Sequence, residues 1–311
     1  MRIEVPVESF TIRSKDGAGV RVHKTGTGPH RWLLTPGLGT PLLCWKHIFE
    51  AFHQRMTIVT WDQRGLFDSE RLRDRSALRF ERHVDDAEAI VERLGWNSFV
   101  TGSWSMGVQL GLGLYERMPE RIQALALING AFEHVLSTAY GPALTAPLLR
   151  ATLAGLVRGA RVLNPAARRL LASGTAGLLM DKLAVSTANA PFVTAVTQEL
   201  ARVELGTYFS ILLELDRHSA RPVLDKVKVP TLVTSGSKDV ATPPSVMREL
   251  SRHIPHADYV EIERGTHYTP LEYPEALNRA LERFFSRVFA ERWPPAGASS
   301  EDAVKPAGAS E

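Results

Sequence analysis

The sequence predicts an α/β protein: a mostly parallel β-sheet with helices on both faces. Three observations carry this. Short apolar or β-branched runs alternate with helical stretches from residue 10 to residue 128. The same alternation resumes over residues 231–289. Between them, residues 134–221 contain several helical stretches and no clear strand, which reads as a helical cap inserted over one end of the sheet. The expected organisation is a core of residues 1–133 and 222–290, a cap of residues 134–221, and a disordered tail from 291 to 311.

The elements follow in order. Phe10–Arg13 and Val20–His23 are short strands flanking the turn Asp16-Gly17-Ala18-Gly19. Arg31–Thr35 is an apolar strand ending in Pro36-Gly37-Leu38-Gly39, and a helix follows over Leu42–Gln54. The β-branched strand Met56–Trp61 stops at Asp62-Gln63-Arg64-Gly65. Val84, Ala87, Ile90, Val91 and Leu94 fall at helical spacing within Glu81–Leu94, which Gly95 ends. Strand Phe99–Thr101, helix Met106–Arg117 and strand Ile122–Ile128 come next. After the insertion come strand Thr231–Thr234, helix Pro243–His253, strand Tyr259–Ile262 and helix Pro274–Phe289.

Within the insertion, Pro147–Leu163 is amphipathic, with Leu149, Leu153, Leu156 and Val157 on one side and Arg150, Arg158 and Arg161 on the other. Residues 150–182 hold six basic side chains, Arg168, Arg169 and Lys182 among them, against the single acid Asp181. That segment reads first as a solvated helix face, and second as a weak contact with an anionic surface such as a membrane or an acyl carrier. Residues 294–300 and 306–310 repeat a Pro/Ala/Gly/Ser composition without apolar periodicity, which cannot offset the entropy of ordering.

Composition narrows the class without naming an activity. The chain has 311 residues, 44% hydrophobic and 23% charged, which excludes wholesale disorder. A net charge of +3, spread along the chain, gives no nucleic-acid footprint. Cys44 is the one cysteine, so no intrachain disulfide forms. With no apolar leader at the N-terminus and no run long enough to span a bilayer, a soluble cytoplasmic protein is expected.

The chemistry concentrates in Ser103-Trp104-Ser105-Met106-Gly107, set between a strand and a helix. A sharp strand-to-helix turn there would lift one serine above the sheet, and such a turn needs small residues two before and two after it. Ser103 and Gly107 meet that need if Ser105 is the nucleophile. A serine hydroxyl needs a histidine to take its proton and an acid to orient the histidine. Asp239 follows strand Thr231–Thr234 and His267 follows strand Tyr259–Ile262, the chain order such a relay requires. The remaining histidines lack that placement, and His83 with Asp85 and Asp86 reads as structural, not as a metal site. Oxyanion donors are expected from the backbone N–H groups of Met106 and Leu38.

These segments resemble the α/β-hydrolase superfamily, in its serine-nucleophile, esterase-like branch, over residues 5–290. The similarity rests on Pro36-Gly37-Leu38-Gly39, on Asp62-Gln63-Arg64-Gly65-Leu66-Phe67-Asp68-Ser69, on the turn at Ser105, on Gly236-Ser237-Lys238-Asp239 with Thr242-Pro243 beyond, and on Gly265-Thr266-His267. The chain departs from the family pattern in Pro36 for the usual oxyanion-loop histidine, Phe67 for a glycine, and Trp104 where histidine is common. The resemblance implies an eight-stranded sheet, a cap after strand six and a Ser105–His267–Asp239 triad. It implies hydrolysis of a small carboxylic ester or thioester through an acyl-enzyme. C–C bond, lactone or perhydrolase chemistry uses the same triad, and a non-catalytic ligand-binding protein on this fold is the rival from another class. No cofactor or metal is implied, because the triad is self-contained and no phosphate loop or dinucleotide fingerprint occurs. Trp104, Leu149, Leu153, Leu156 and Phe192, with Leu178 and Leu179, are the expected substrate-pocket residues. Nothing in the sequence sets the oligomeric state.

Overall fold

The computed structural model describes residues 2–72, 74–138, 145–173 and 191–294. Eight strands form one sheet: β1 (Glu8–Arg13), β2 (Gly19–Thr25), β3 (His30–Thr35), β4 (Met56–Trp61), β5 (Phe99–Trp104), β6 (Ile122–Ile128), β7 (Thr231–Gly236) and β8 (Asp258–Ile262). Their spatial order is β1-β2-β4-β3-β5-β6-β7-β8. β1 pairs antiparallel with β2 and β2 with β4, and every later pair is parallel. The helices are α1 (Lys46–Phe52), α2 (Phe80–Arg93), α3 (Gly107–Arg117), α4 (Val135–Thr138), α5 (Ala146–Ala172), α6 (Pro191–Leu200), α7 (Leu205–Arg217), α8 (Arg221–Leu224), α9 (Pro244–His253), α10 (Thr269–Glu272) and α11 (Pro274–Phe289).

The inner strands are buried on both faces, and alternate residues feed two separate cores. Leu33, Val59, Leu125, Leu127 and Val233 pack on one face with α2, α3 and α9. Trp32, Leu34, Ile58, Ala126 and Leu232 pack on the other with α1 and α11. The parallel strands all end on one side of the molecule, and the loops after β3, β5, β7 and β8 meet there. The segment between β6 and β7 carries α4 to α8. Among the described residues no helix is long and apolar enough to cross a membrane.

Several boundaries differ from the sequence reading, three of them for a reason visible in the packing. β5 runs three residues further, to Trp104, because Gly102 and Ser103 continue the ladder with both β3 and β6. α5 runs through Pro165 to Ala172 and does not stop at Leu163. Packing against α7 holds it there: the Asn164 side chain accepts from the Leu205 N–H at 3.0 Å and donates to Glu204 at 2.8 Å. The ordered chain also continues past residue 290. Trp293 is buried against Phe285 and Phe289, donates to Glu282 at 2.7 Å and lies 4.6 Å from the Arg55 guanidinium. Residues 295–311 lie outside the described residues, as do Leu178, Leu179, Asp181 and Lys182.

Candidate active site

β5 ends in a turn that holds Ser105 at φ 57, in the left-handed region. The turn is possible because its neighbours lack side chains. A Cβ on Gly107 would lie 2.1 Å from the Thr35 carbonyl oxygen, and one on Gly37 would lie 2.9 Å from the Ser105 Cβ. Ser103 is fully buried, receives a hydrogen bond from Thr35 Oγ1 at 2.8 Å and packs against Gly111. It faces the interior, whereas Ser105 faces His267.

His267 Nε2 stands 2.8 Å from Ser105 Oγ, and its Nδ1 stands 3.0 Å from Asp239 Oδ2. The loops carrying these residues touch because Gly236 leaves room: a Cβ there would lie 2.3 Å from the Gly265 carbonyl oxygen. Asp239 Oδ1 accepts from the N–H groups of Ala241 and Thr242 at 2.9 and 2.8 Å. Its Oδ2 also accepts from Thr242 Oγ1 at 2.7 Å and Asn129 Nδ2 at 3.0 Å. Burial alone would push the Asp239 pKa up. The facing His267 and the Thr242 hydrogen bonds outweigh burial and hold it below the ordinary carboxylate value. Trp104 is buried and its Nε1 donates to the His267 carbonyl at 3.1 Å.

Met106 precedes α3 and Leu38 lies in the loop after β3. Among the described residues, neither backbone N–H is taken by another acceptor. One side chain ties the two segments together. Gln63 accepts from the Gly39 N–H at 3.0 Å and its amide lies 3.2 Å from the Met106 sulfur. The loop that begins with Pro36 is therefore shaped by Gln63 and by a Thr40 N–H to Gly37 carbonyl bond of 3.1 Å. Phe67, the other departure, adopts φ 49, the region a glycine adopts without strain. Arg64 of the same segment is fully buried against Asp86, Asp16 and the Ala77 carbonyl, a structural anchor.

A cavity of about 320 Å³ opens over Ser105. Beside Leu38, Trp104, Ser105, Met106 and His267, it is lined by Leu171, Leu200, Tyr208, Leu212, Leu215 and Tyr268. The expected pocket residues Leu149, Leu153, Leu156 and Phe192 do not line it. Leu153 is buried in the core beside α7, with Leu149 and Leu156 packed against the same cluster, and Phe192 is buried near Tyr268. The reason is layering: the apolar stripe of α5 faces α7, and α7 stands between most of that helix and the site. Asn129 and Gln63 were also given no role from sequence, and Thr242 was quoted only with the stretch beyond Asp239 that carries the family resemblance. Asn129-Gly130 is a turn signal at a strand end that marks the first of them. Cys44 borders the cavity but is buried, and burial pushes its thiol pKa up, so it is no nucleophile.

Such a fold and site define a class. The chain belongs to the alpha/beta hydrolase fold family, whose model matches residues 33–274. It is an enzyme of that superfamily, with esterase- and lactonase-like relatives. It is similar to 3-oxoadipate enol-lactonase 2 of Acinetobacter baylyi, with 26% identity over 255 residues, 82% of this chain and 88% of the relative. It is also similar to the pimeloyl-[acyl-carrier protein] methyl ester esterase of Neisseria meningitidis, with 29% identity over 206 residues, 64% of this chain and 73% of the relative. A solved enol-lactonase from Burkholderia xenovorans LB400 has the same fold, with a TM-score of 0.72 and 24% identity, covering 89% of this chain and all of that one.

Proposed function

We propose that the protein is a serine hydrolase that cleaves a carboxylic ester or thioester through an acyl-enzyme on Ser105. The observation that carries this is the unbroken chain from Asp239 Oδ2 to His267 Nδ1 at 3.0 Å and from His267 Nε2 to Ser105 Oγ at 2.8 Å. In this reading His267 takes the hydroxyl proton as Ser105 Oγ attacks the carbonyl carbon. The tetrahedral oxyanion receives the Leu38 and Met106 N–H groups, and losing one such donor costs about 100- to 1,000-fold in rate. Collapse expels the alcohol or thiol with the proton from His267. Water, deprotonated by His267, then attacks the acyl-enzyme and releases the acid. Asp239 keeps the His267 proton on Nδ1, so that Nε2 is free to accept.

The helices between β6 and β7, within residues 134–221, serve as the cap, with α7 as the main pocket-facing element. A cavity of about 320 Å³ is at the small end of ligand sites. Its Leu and Tyr lining supports a short- to medium-chain apolar acyl or ring substrate. A lactone is the second reading, favoured by the enol-lactonases among the relatives. The test is labelling with a fluorophosphonate beside hydrolysis of p-nitrophenyl butyrate and a lactone panel. Wild type labels and turns over, and Ser105→Ala does neither. Equal labelling of Ser105→Ala, or an unlabelled wild type, overturns the proposal.

A further inference from the structure

α5 has an outward face unlike the rest of the surface. Leu148 is 73% exposed, Val162 82% and Leu170 52%, on a helix whose opposite face is packed on α7. Large aliphatic side chains scattered singly over a surface mean little, but three or four gathered on one helix do. Between them stand Arg158, Arg161, Arg168 and Arg169. All four are exposed, and none has a carboxylate partner among the described residues. Residues 146–172 contain no Asp or Glu, so nothing on the helix offsets this charge. Arg150 is the exception, turned inward to buried Asp216.

Two further facts bear on the partner. Arg75, in the turn between β4 and α2, joins Arg158 and Arg161 around a recess of about 370 Å³. The one acid there, Glu204, is engaged by Asn164 and by the N–H groups of Gly206 and Thr207. At the far end of the helix, exposed Leu170 adjoins Leu171, which lines the cavity over Ser105.

We propose that α5 is an interfacial helix that docks the protein on an anionic lipid bilayer. The aliphatic side chains enter the headgroup–acyl boundary, and the arginines reach phosphate groups through their flexible stems. An acidic protein would satisfy the arginines alone. A bilayer also takes up Leu148, Val162 and Leu170. Docked this way, the Leu170 end of α5 brings the mouth of the Ser105 cavity toward the lipid surface.

The experiment is cosedimentation of the full chain with phosphatidylcholine vesicles, with and without phosphatidylglycerol, at low and high salt. Wild type is expected to bind the anionic vesicles at low salt and to leave phosphatidylcholine alone unbound. The double variant Arg158→Glu/Arg169→Glu is expected to lose more than about tenfold in partitioning. Val162→Asp is expected to bind more weakly at the same charge on the arginines. Both variants change exposed side chains, so their thermal melts and their hydrolysis of p-nitrophenyl butyrate in solution stay at the wild-type level. That readout separates failure of docking from failure of the hydrolase proposal. No binding to anionic vesicles at low salt, binding indifferent to the charge reversals, or tighter capture by an acidic carrier protein than by vesicles overturns the inference.

Discussion

Gln63 ties the loop that carries Leu38 to Met106, beside Ser105, with one amide. Its oxygen accepts from the Gly39 N–H at 3.0 Å and its nitrogen meets the Met106 sulfur at 3.2 Å. It is fully buried, so removing the amide leaves the Gly39 N–H without a partner and frees the loop that carries Leu38. Gln63→Leu is therefore expected to lower kcat by about 10- to 100-fold, with KM changed far less, because the lost order matters where charge develops. Steady-state kinetics on p-nitrophenyl butyrate check this, and a rise in KM at unchanged kcat would assign Gln63 to substrate binding instead. The sequence could show Gln63 only as the variable position of the Asp-Gln-Arg-Gly stretch. Ser105, His267 and Asp239 were legible because strand-end placement and chain order constrain them. Gln63 and Asn129 act across the fold, 24 and 110 residues from the groups they hold, whereas Thr242 is local, three residues from Asp239.

Among the elements, the strands were the most legible, since each is an apolar or β-branched run bounded by a turn. β4, β6 and α11 begin and end where the sequence places them. The spatial order β1-β2-β4-β3 was not legible, because a crossover leaves no local pattern. Nor was the choice of α7 over α5 as the pocket wall. Both helices carry apolar stripes, and only packing decides which one faces Ser105. At the turn between β5 and α3 the physical demand is strict enough to predict a failure. Gly107→Ala drives its Cβ to 2.1 Å from the Thr35 carbonyl oxygen, a backbone atom that cannot rotate away. We expect the variant to lose about 2–4 kcal/mol of stability and most of its activity, since the turn that holds Ser105 must open. Urea unfolding measures the first and fluorophosphonate labelling the second. Gly155→Ala is the control: it lies on α5 with nothing within 4 Å of the new Cβ, and is expected to be neutral or slightly stabilising. Equal losses in both variants would sink the argument.

Across the whole molecule, buried histidines set how stability responds to acid. His83 on α2 is fully buried, and burial first, then the nearby Arg64 charge, push its pKa down to about 3, outweighing the Leu78 backbone, which favours the protonated ring. His218, after α7, stacks on Phe80 at 3.6 Å, and burial pushes its pKa down to about 4. Burial also depresses His30 and His47. A histidine whose folded pKa lies below its unfolded value of 6.5 takes up its proton first in the unfolded chain. Its contribution to stability is thus complete above pH 6.5 and is lost as pH falls toward the folded value, near 4 for His218 and near 3 for His83. Asp239, with its depressed pKa, acts in the same direction further down, below the ordinary carboxylate value of 3.8. Each histidine contributes a slope of up to about 1.4 kcal/mol per pH unit below its unfolded pKa. Urea unfolding between pH 7.5 and pH 5, windows chosen at roughly one unit either side of that pKa, should show a flat stability that then falls. His83→Leu, an apolar side chain of similar reach at a fully buried position, should remove about one histidine's share of that fall. A slope identical to wild type would mean that His83 is protonated inside the fold, and that its charge is met by a partner such as Asp86.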